Sequence, residues 1–387
     1  MRRTAARIGV VAALTLSVGV AAVNAASARA EEPGLVSVTR ADTDGMNYAI
    51  NLAGTNPEDL QRALALVPGA GGAALASYPE IGTFFAQSAT PSFAPDLAAA
   101  LRQAGIPIHS IGPIRVAPVL YYERVELPTD KKDEAPQSGA AGGLNSMRDE
   151  TTSAAPAGAN EEIFNWGAVA MHAREAEAVN VKRAPVTVAV VDSGVEDTHP
   201  DLEGRVDTSR SVKCSVNGVA TQDFYGWRDD YFHGTHVAGS IAAKRDGVGV
   251  DGVNPTLRIA AINAASRNGG FFYPEYIVCG FVWAAEHGIS VTNGSYYVDP
   301  WKYWLPNDPE QAAGQEAVQR AVDYATSKDV INVVAAGNFS TDLDNLPTTD
   351  DSAPGGPSRG EKAVSLLNCH YAFDSARREF RIRYFYE

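Results

Sequence analysis

The chain changes its hydrophobic rhythm along its length. From Met46 to Leu52 apolar and polar residues alternate, the period-two pattern of a half-buried strand. Asn56-Pro57-Glu58 then opens a helix, with Asn as N-cap and Pro in the first turn, predicted to run to about Val67. Gly69 to Gly72 break it. An extended stretch is predicted near Ala73 to Gln87, a second helix over Pro95–Ala104 stopped by Gly105, and a last extended stretch over Ile111–Leu120. Strand, helix, strand, helix, strand within residues 31–125 predicts a small α+β domain.

From about Ile163 the rhythm becomes helix alternating with strand. Helices are predicted over Ala168–Val179, Gly234–Ala243, Pro274–His287 and Gly314–Ser327. Strands are predicted over Val186–Val191, Arg258–Asn263, Ile289–Thr292 and Val330–Ala336. The run Val186-Thr187-Val188-Ala189-Val190-Val191 does not alternate, which marks a strand buried on both faces of a parallel sheet. The expectation for residues 161–350 is therefore an α/β domain with a doubly wound parallel sheet, whose functional groups gather at the carboxyl ends of strands. Residues 126–160 between the two regions are small and polar, the composition of an exposed, flexible linker open to proteolysis.

Charge and composition narrow the function. Residues 1–30 carry Arg2, Arg3 and Arg7, an apolar run from Ile8 to Val23, and small residues up to Ala30, the three parts of a secretory signal peptide. A secreted, extracellular protein is expected. The formal net charge of −14, from 32 basic and 46 acidic residues, argues against nucleic acid or an anionic membrane as partner. Export permits disulfides among Cys214, Cys279 and Cys369. A Cys214–Cys279 pair leaves Cys369 odd, and the sequence leaves the pairing open.

Three polar residues stand at element ends. Asp192 follows the continuous apolar strand, His233 stands where a loop becomes a helix, and Asn338 ends the predicted strand near Val333-Val334. Each alone reads as a cap or turn residue. Together they offer an acid that orients a His, a His that serves as general base, and an amide that donates to a developing oxyanion.

The surrounding segments carry a resemblance. Val188-Ala189-Val190-Val191-Asp192-Ser193-Gly194-Val195, with His199-Pro200-Asp201-Leu202 after it, resembles the aspartate motif of subtilisin-like (S8) serine proteases. His233-Gly234-Thr235-His236-Val237-Ala238-Gly239 resembles their histidine motif, and Val334-Ala335-Ala336-Gly337-Asn338 their oxyanion motif. Val291-Thr292-Asn293-Gly294-Ser295-Tyr296-Tyr297 resembles the strand lining the substrate pocket. The resemblance implies a serine endopeptidase acting on peptides or proteins, with Asp192, His233 and Asn338 catalytic and His236 structural. Ser295, Tyr296, Tyr297, Ala335, Ala336 and Gly337 would line the substrate. It also implies that residues 31–125 are a propeptide, the chaperone and intramolecular inhibitor of a monomeric enzyme. No cofactor is required. Structural calcium occurs in the family, but Asp229, Asp230, Asp342 and Asp344 show no ligand-loop spacing, and no third ligand is spaced to make His233 and His236 a metal pair. Tyr297 stands where the family often has Gly. The aromatic group of Tyr296, Tyr297, Trp301, Tyr303 and Trp304 reads equally as a packed cluster or as part of a cleft.

The family's nucleophile belongs to a G-T-S-M-A-x-P motif, and no such motif follows Asn338. Ser358 sits in Gly356-Pro357-Ser358-Arg359-Gly360, but the Pro before it and the absence of a strand argue against a nucleophile elbow. Residues 351–387 differ from what precedes them and end in an Arg- and aromatic-rich stretch from Ala376 to Glu387. The expectation is a C-terminally incomplete catalytic domain, by truncation or a change of reading frame between about Asp351 and Ala363, against a divergent natural tail. Such a chain is expected to be inactive. The alternative is a non-catalytic pseudoprotease that binds peptides or its own propeptide.

Overall fold

The computed structural model describes residues 45–115, 162–163, 166–179, 185–267, 270–301, 304–305, 308–335, 372–374 and 379–381. The signal segment, the linker 126–160, Tyr303, Ala336, Gly337, Asn338, Asp342, Asp344, Ser358 and Cys369 lie outside these residues.

The first six elements are β1 (Met46–Leu52), α1 (Pro57–Leu66), β2 (Ala73–Tyr78), β3 (Thr83–Ser88), α2 (Phe93–Gln103) and β4 (Ile108–Pro113). They form an antiparallel sheet of order β2-β3-β1-β4. Asn56 caps α1 as expected, its side chain accepting the Glu58 N–H at 3.0 Å. The stretch Ala73–Gln87 is two strands instead of one. Pro79–Ile81 makes a tight helical turn closed by Gly82 at φ 63°, and the chain doubles back. In β1 the alternation sorts the faces: Tyr48, Ile50 and Leu52 pack with Leu60, Leu64, Leu97 and Leu101 of α1 and α2. Ala49 faces the opposite core.

The second region contains β5 (Glu162–Ile163), α3 (Trp166–Ala170), α4 (Ala173–Ala178), β6 (Thr187–Asp192), β7 (Val212–Lys213), α5 (His233–Ala242), β8 (Gly249–Val250), β9 (Arg258–Asn263), α6 (Pro274–Glu286), β10 (Val291–Gly294), α7 (Ala312–Ser327) and β11 (Ile331–Val334). The helix expected over Ala168–Val179 is broken into α3 and α4, because His172 adopts a left-handed φ of 53° that no helix continues. Five strands make a parallel sheet of order β11-β10-β6-β9-β7. β12 (Ala372–Asp374) and β13 (Glu379–Arg381) form a separate antiparallel pair in the tail, where no strand was expected.

Residue parity explains why β6 is apolar throughout. Ala189 and Val191, with Ala260 and Ile262 of β9, pack in the core that holds α6 and α7. Val188 and Val190, with Ile259 and Ala261, pack against Ala238 and Ala242 of α5. A disulfide joins Cys214, just past β7, to Cys279 in α6, with the Cα atoms 5.7 Å apart.

The antiparallel sheet lies on α6 and α7. Leu75, Phe85 and Ile114 share a core with Phe281, Ala317 and Ala321. Asn51 Nδ2 donates to the Ala313 carbonyl at 2.9 Å, and Gly112 passes so near α7 that a Cβ there would lie 2.8 Å from the Pro309 carbonyl oxygen. Among the described residues no helix is long and apolar enough to cross a membrane.

Candidate active site

β6 ends on Asp192, and the ladder with β9 sets it opposite Asn263. Its carboxylate is fully buried. A buried charge is tolerable only when it is paired and hydrogen-bonded. Here Oδ1 accepts the Ser193 N–H at 2.6 Å and lies 2.8 Å from Nδ1 of His233, with Oδ2 at 3.0 Å. The carboxylate selects the tautomer with the proton on Nδ1 and leaves Nε2 as the proton acceptor. Burial pulls the His233 pKa down, but the hydrogen bond the ring donates to Asp192 and the charges of Asp192 and Asp229 outweigh it, so the value ends raised.

His233 is the first residue of α5, and its placement depends on how that helix starts. Phe232, at the cap position, has φ 66° and offers no side-chain cap. Asp229 does the capping instead. Its Oδ1 accepts from the Tyr231 and Phe232 N–H groups at 2.8 Å each and from the Ser193 hydroxyl at 2.7 Å. Its Oδ2 accepts the Thr235 N–H at 2.8 Å, and the Thr235 hydroxyl as well. Ser193 Oγ in turn accepts the Gly234 N–H at 3.0 Å. The strand end bearing Asp192 and the helix start bearing His233 are thus one hydrogen-bonded unit. Sequence reasoning noted Asp229 only as a stray acid and gave Ser193 no role. The available signal was an acid four residues before the His and a hydroxyl directly after the Asp. His236 is exposed, and among the described residues no group of three or more His, Cys, Asp or Glu is arranged to hold a metal ion.

The other expected site residues divide. β10 and β11 flank the same strand end: Gly294 pairs with Val191 on one side and Val334 on the other, and the Ala335 N–H donates to the Gly294 carbonyl at 3.0 Å. Ser295 and Tyr297 are half-buried there and Ala335 is exposed. Tyr296 is turned inward. Its ring stacks on Phe272 at 4.5 Å and folds back over Gly294, and burial pushes its hydroxyl pKa well up, with the Asp192 charge adding. The ring therefore belongs to the core, against the expectation that it lines a cleft. Trp301 and Trp304 are likewise buried and pack edge to face at 4.8 Å. That half of the aromatic group is a packed cluster.

Residues 183–363 match the model of the subtilase family. That segment of the chain is of the subtilase family. The subtilase region is 36% identical over 190 residues to fervidolysin from Fervidobacterium pennivorans, covering 47% of this chain and 25% of that protein. It is 33% identical over 171 residues to subtilisin E from Bacillus subtilis, covering 44% and 38%. The chain thus spans between a quarter and two-fifths of the length of these relatives. The crystal structure of the epidermin leader peptide processing serine protease from Staphylococcus aureus aligns with a TM-score of 0.53 at 19% identity, covering 78% of this chain and 62% of that chain. That likeness is one of fold.

Proposed function

We propose that this chain is the precursor of a secreted serine endopeptidase of the Ser-His-Asp type, and that the polypeptide as its sequence stands does not turn over peptides. The observation that carries the reading is the 2.8 Å contact between His233 Nδ1 and the buried carboxylate of Asp192 at a parallel-strand end. Asp192 orients His233 and stabilises its protonated form. His233 Nε2 takes the proton of the attacking hydroxyl and returns it to the leaving amine. The Asn338 amide donates to the oxyanion, and Ser295, Tyr297, Ala335, Ala336 and Gly337 flank the peptide. No cofactor enters this scheme. The inactive state follows from the absent nucleophile motif. Removing the triad Ser lowers kcat by several orders of magnitude even where the remaining site is intact. The family match runs to residue 363, the far end of the window in which the sequence changes character.

Two measurements test this. The purified chain is mixed with a fluorogenic peptide. Turnover blocked by a serine-directed phosphonate overturns the inactive state, and turnover lost on chelation with the fold intact overturns serine chemistry altogether. The coding DNA is then read past the codon for Asp351. A second frame encoding a Ser-bearing motif is expected, and its absence sinks the frame change.

One observation favours a second reading, a pseudoprotease that binds its own propeptide. The antiparallel sheet covers α6 and α7 through a shared core. Peptide binding without turnover, together with coding DNA that holds no second frame with a Ser-bearing motif, is the result that selects it.

A further inference from the structure

Arg115 and Glu275 are 160 residues apart in sequence and meet inside the protein. Arg115 follows β4, and Glu275 lies in the first turn of α6. The Arg115 side chain is 3% exposed and the Glu275 side chain 0%. The pairing is two-pronged: Arg115 Nη1 donates to Glu275 Oε2 at 3.0 Å, and Nη2 donates to Oε1. Asn47 Nδ2 adds a donor to Oε1 at 3.2 Å. The guanidinium carbon stands 3.2 Å from the centroid of the Tyr273 ring, and the Tyr276 ring lies 5.8 Å away.

A dry carboxylate facing a planar fork, with an aromatic face beneath it, discriminates by shape as well as charge. Only a guanidinium fills both prongs and stacks at once. An ammonium meets one oxygen, keeps no flat face for the ring, and loses more hydration on entry. Burial raises the stakes, because a buried carboxylate left without its partner is strongly unfavourable. We infer that Glu275, Tyr273 and Tyr276 form an arginine-selective pocket on the parallel-sheet region, filled in cis by Arg115, and that this pocket keys the antiparallel sheet onto α6. The Tyr78 hydroxyl, on β2 at the other edge of the sheet, donates to the Gly218 carbonyl beside Glu275. The pocket is independent of peptide turnover, so its test is too.

The full chain is melted as native protein and as R115A, R115K, E275Q and R115A/E275Q. R115A is expected to lower the Tm by roughly 10 °C, and R115K by nearly as much. Ethylguanidinium, at ten times its half-saturating concentration, is expected to restore about 3 °C to R115A. Ethylammonium at the same concentration restores none, and R115A/E275Q gains nothing from either. If R115A does not fold, ethylguanidinium added during refolding must recover folded protein. Equal rescue by the two cations, rescue that persists in R115A/E275Q, no rescue at all, or an R115K as stable as the native chain each overturn the pocket.

Discussion

Gly234 and Gly194 pass so closely that a Cβ on Gly234 would lie 2.1 Å from the Gly194 carbonyl oxygen and 3.1 Å from Cβ of Asp192. This contact sets the approach of the helix bearing His233 to the strand bearing Asp192. A methyl group has nowhere to go, because the nearest atom is backbone. Gly234→Ala should destabilise the chain by about 3 kcal/mol, the upper end for overpacking. It should also lengthen the His233–Asp192 contact. Thermal melting and the downfield Nδ1–H resonance check both. An unchanged Tm contradicts the packing argument.

His233 should titrate above the ordinary imidazole value of about 6.5, because Asp192 and Asp229 outweigh burial. With a folded pKa above the unfolded one, the charged contact contributes in full below about pH 6.5 and is lost as pH rises through the raised value. Asp192→Asn keeps the burial and removes the charge, so the His233 pKa should fall by at least about one unit. NMR titration of the imidazole resonances, assigned by a His233→Gln variant, measures it. A D192N value at or above the native one refutes the assignment of cause.

Asp229 should behave as the cap of α5. Asp229→Ala strips acceptors from three backbone N–H groups and two hydroxyls. The expected loss is about 2–3 kcal/mol, above an ordinary cap because the acceptor is charged. Amide exchange should quicken at Tyr231, Phe232 and Thr235 while the antiparallel sheet keeps its protection. A loss spread evenly over both sheets would count against a local role.

Asp299 makes a second pH prediction, with the same sign from a different cause. Burial raises its pKa to about 7, against the lowering effect of the Phe272 N–H and of Arg115. Its folded pKa lies above its unfolded one, so it imposes no penalty in acid. The penalty grows from about pH 4 to pH 7 and stays constant above. Asp299→Asn can still accept the Phe272 N–H, donated at 2.7 Å in the native chain, and it carries no charge. It should be neutral or slightly destabilising at pH 4 and stabilising at pH 8, by roughly 4 kcal/mol at most. Paired melts at the two pH values decide it.

How much of this was legible depended on how locally each feature is encoded. The β6 strand was plain because a parallel strand buried on both faces writes a continuous β-branched run into the chain. The boundaries of β9 followed for the same kind of reason, and those of β1 from its alternation. The β2–β3 hairpin was hidden, since both strands are apolar and the Pro79–Ile81 turn between them includes a β-branched Ile. His172 was hidden too, as a left-handed turn without glycine has no sequence signal. Asp192 and His233 were legible from their motifs, whereas Ser193 and Asp229 left only a faint local signal, because their role is to join two segments distant in sequence. Arg115 and Glu275 lay further out of reach, for neither residue marks the other until the sheets meet.

β11 carries one more consequence. Within the described residues it is the last strand of the parallel sheet, and its Ile331 and Val333 are 42% and 40% exposed. The strand reads Ile331-Asn332-Val333-Val334, with neither Lys nor Pro to discourage a neighbour. It has the chemistry of a sheet interior at a sheet border, and such borders recruit a strand from the next molecule. Where that border stays open, loss of this protein on storage depends on its concentration as well as on its melting point.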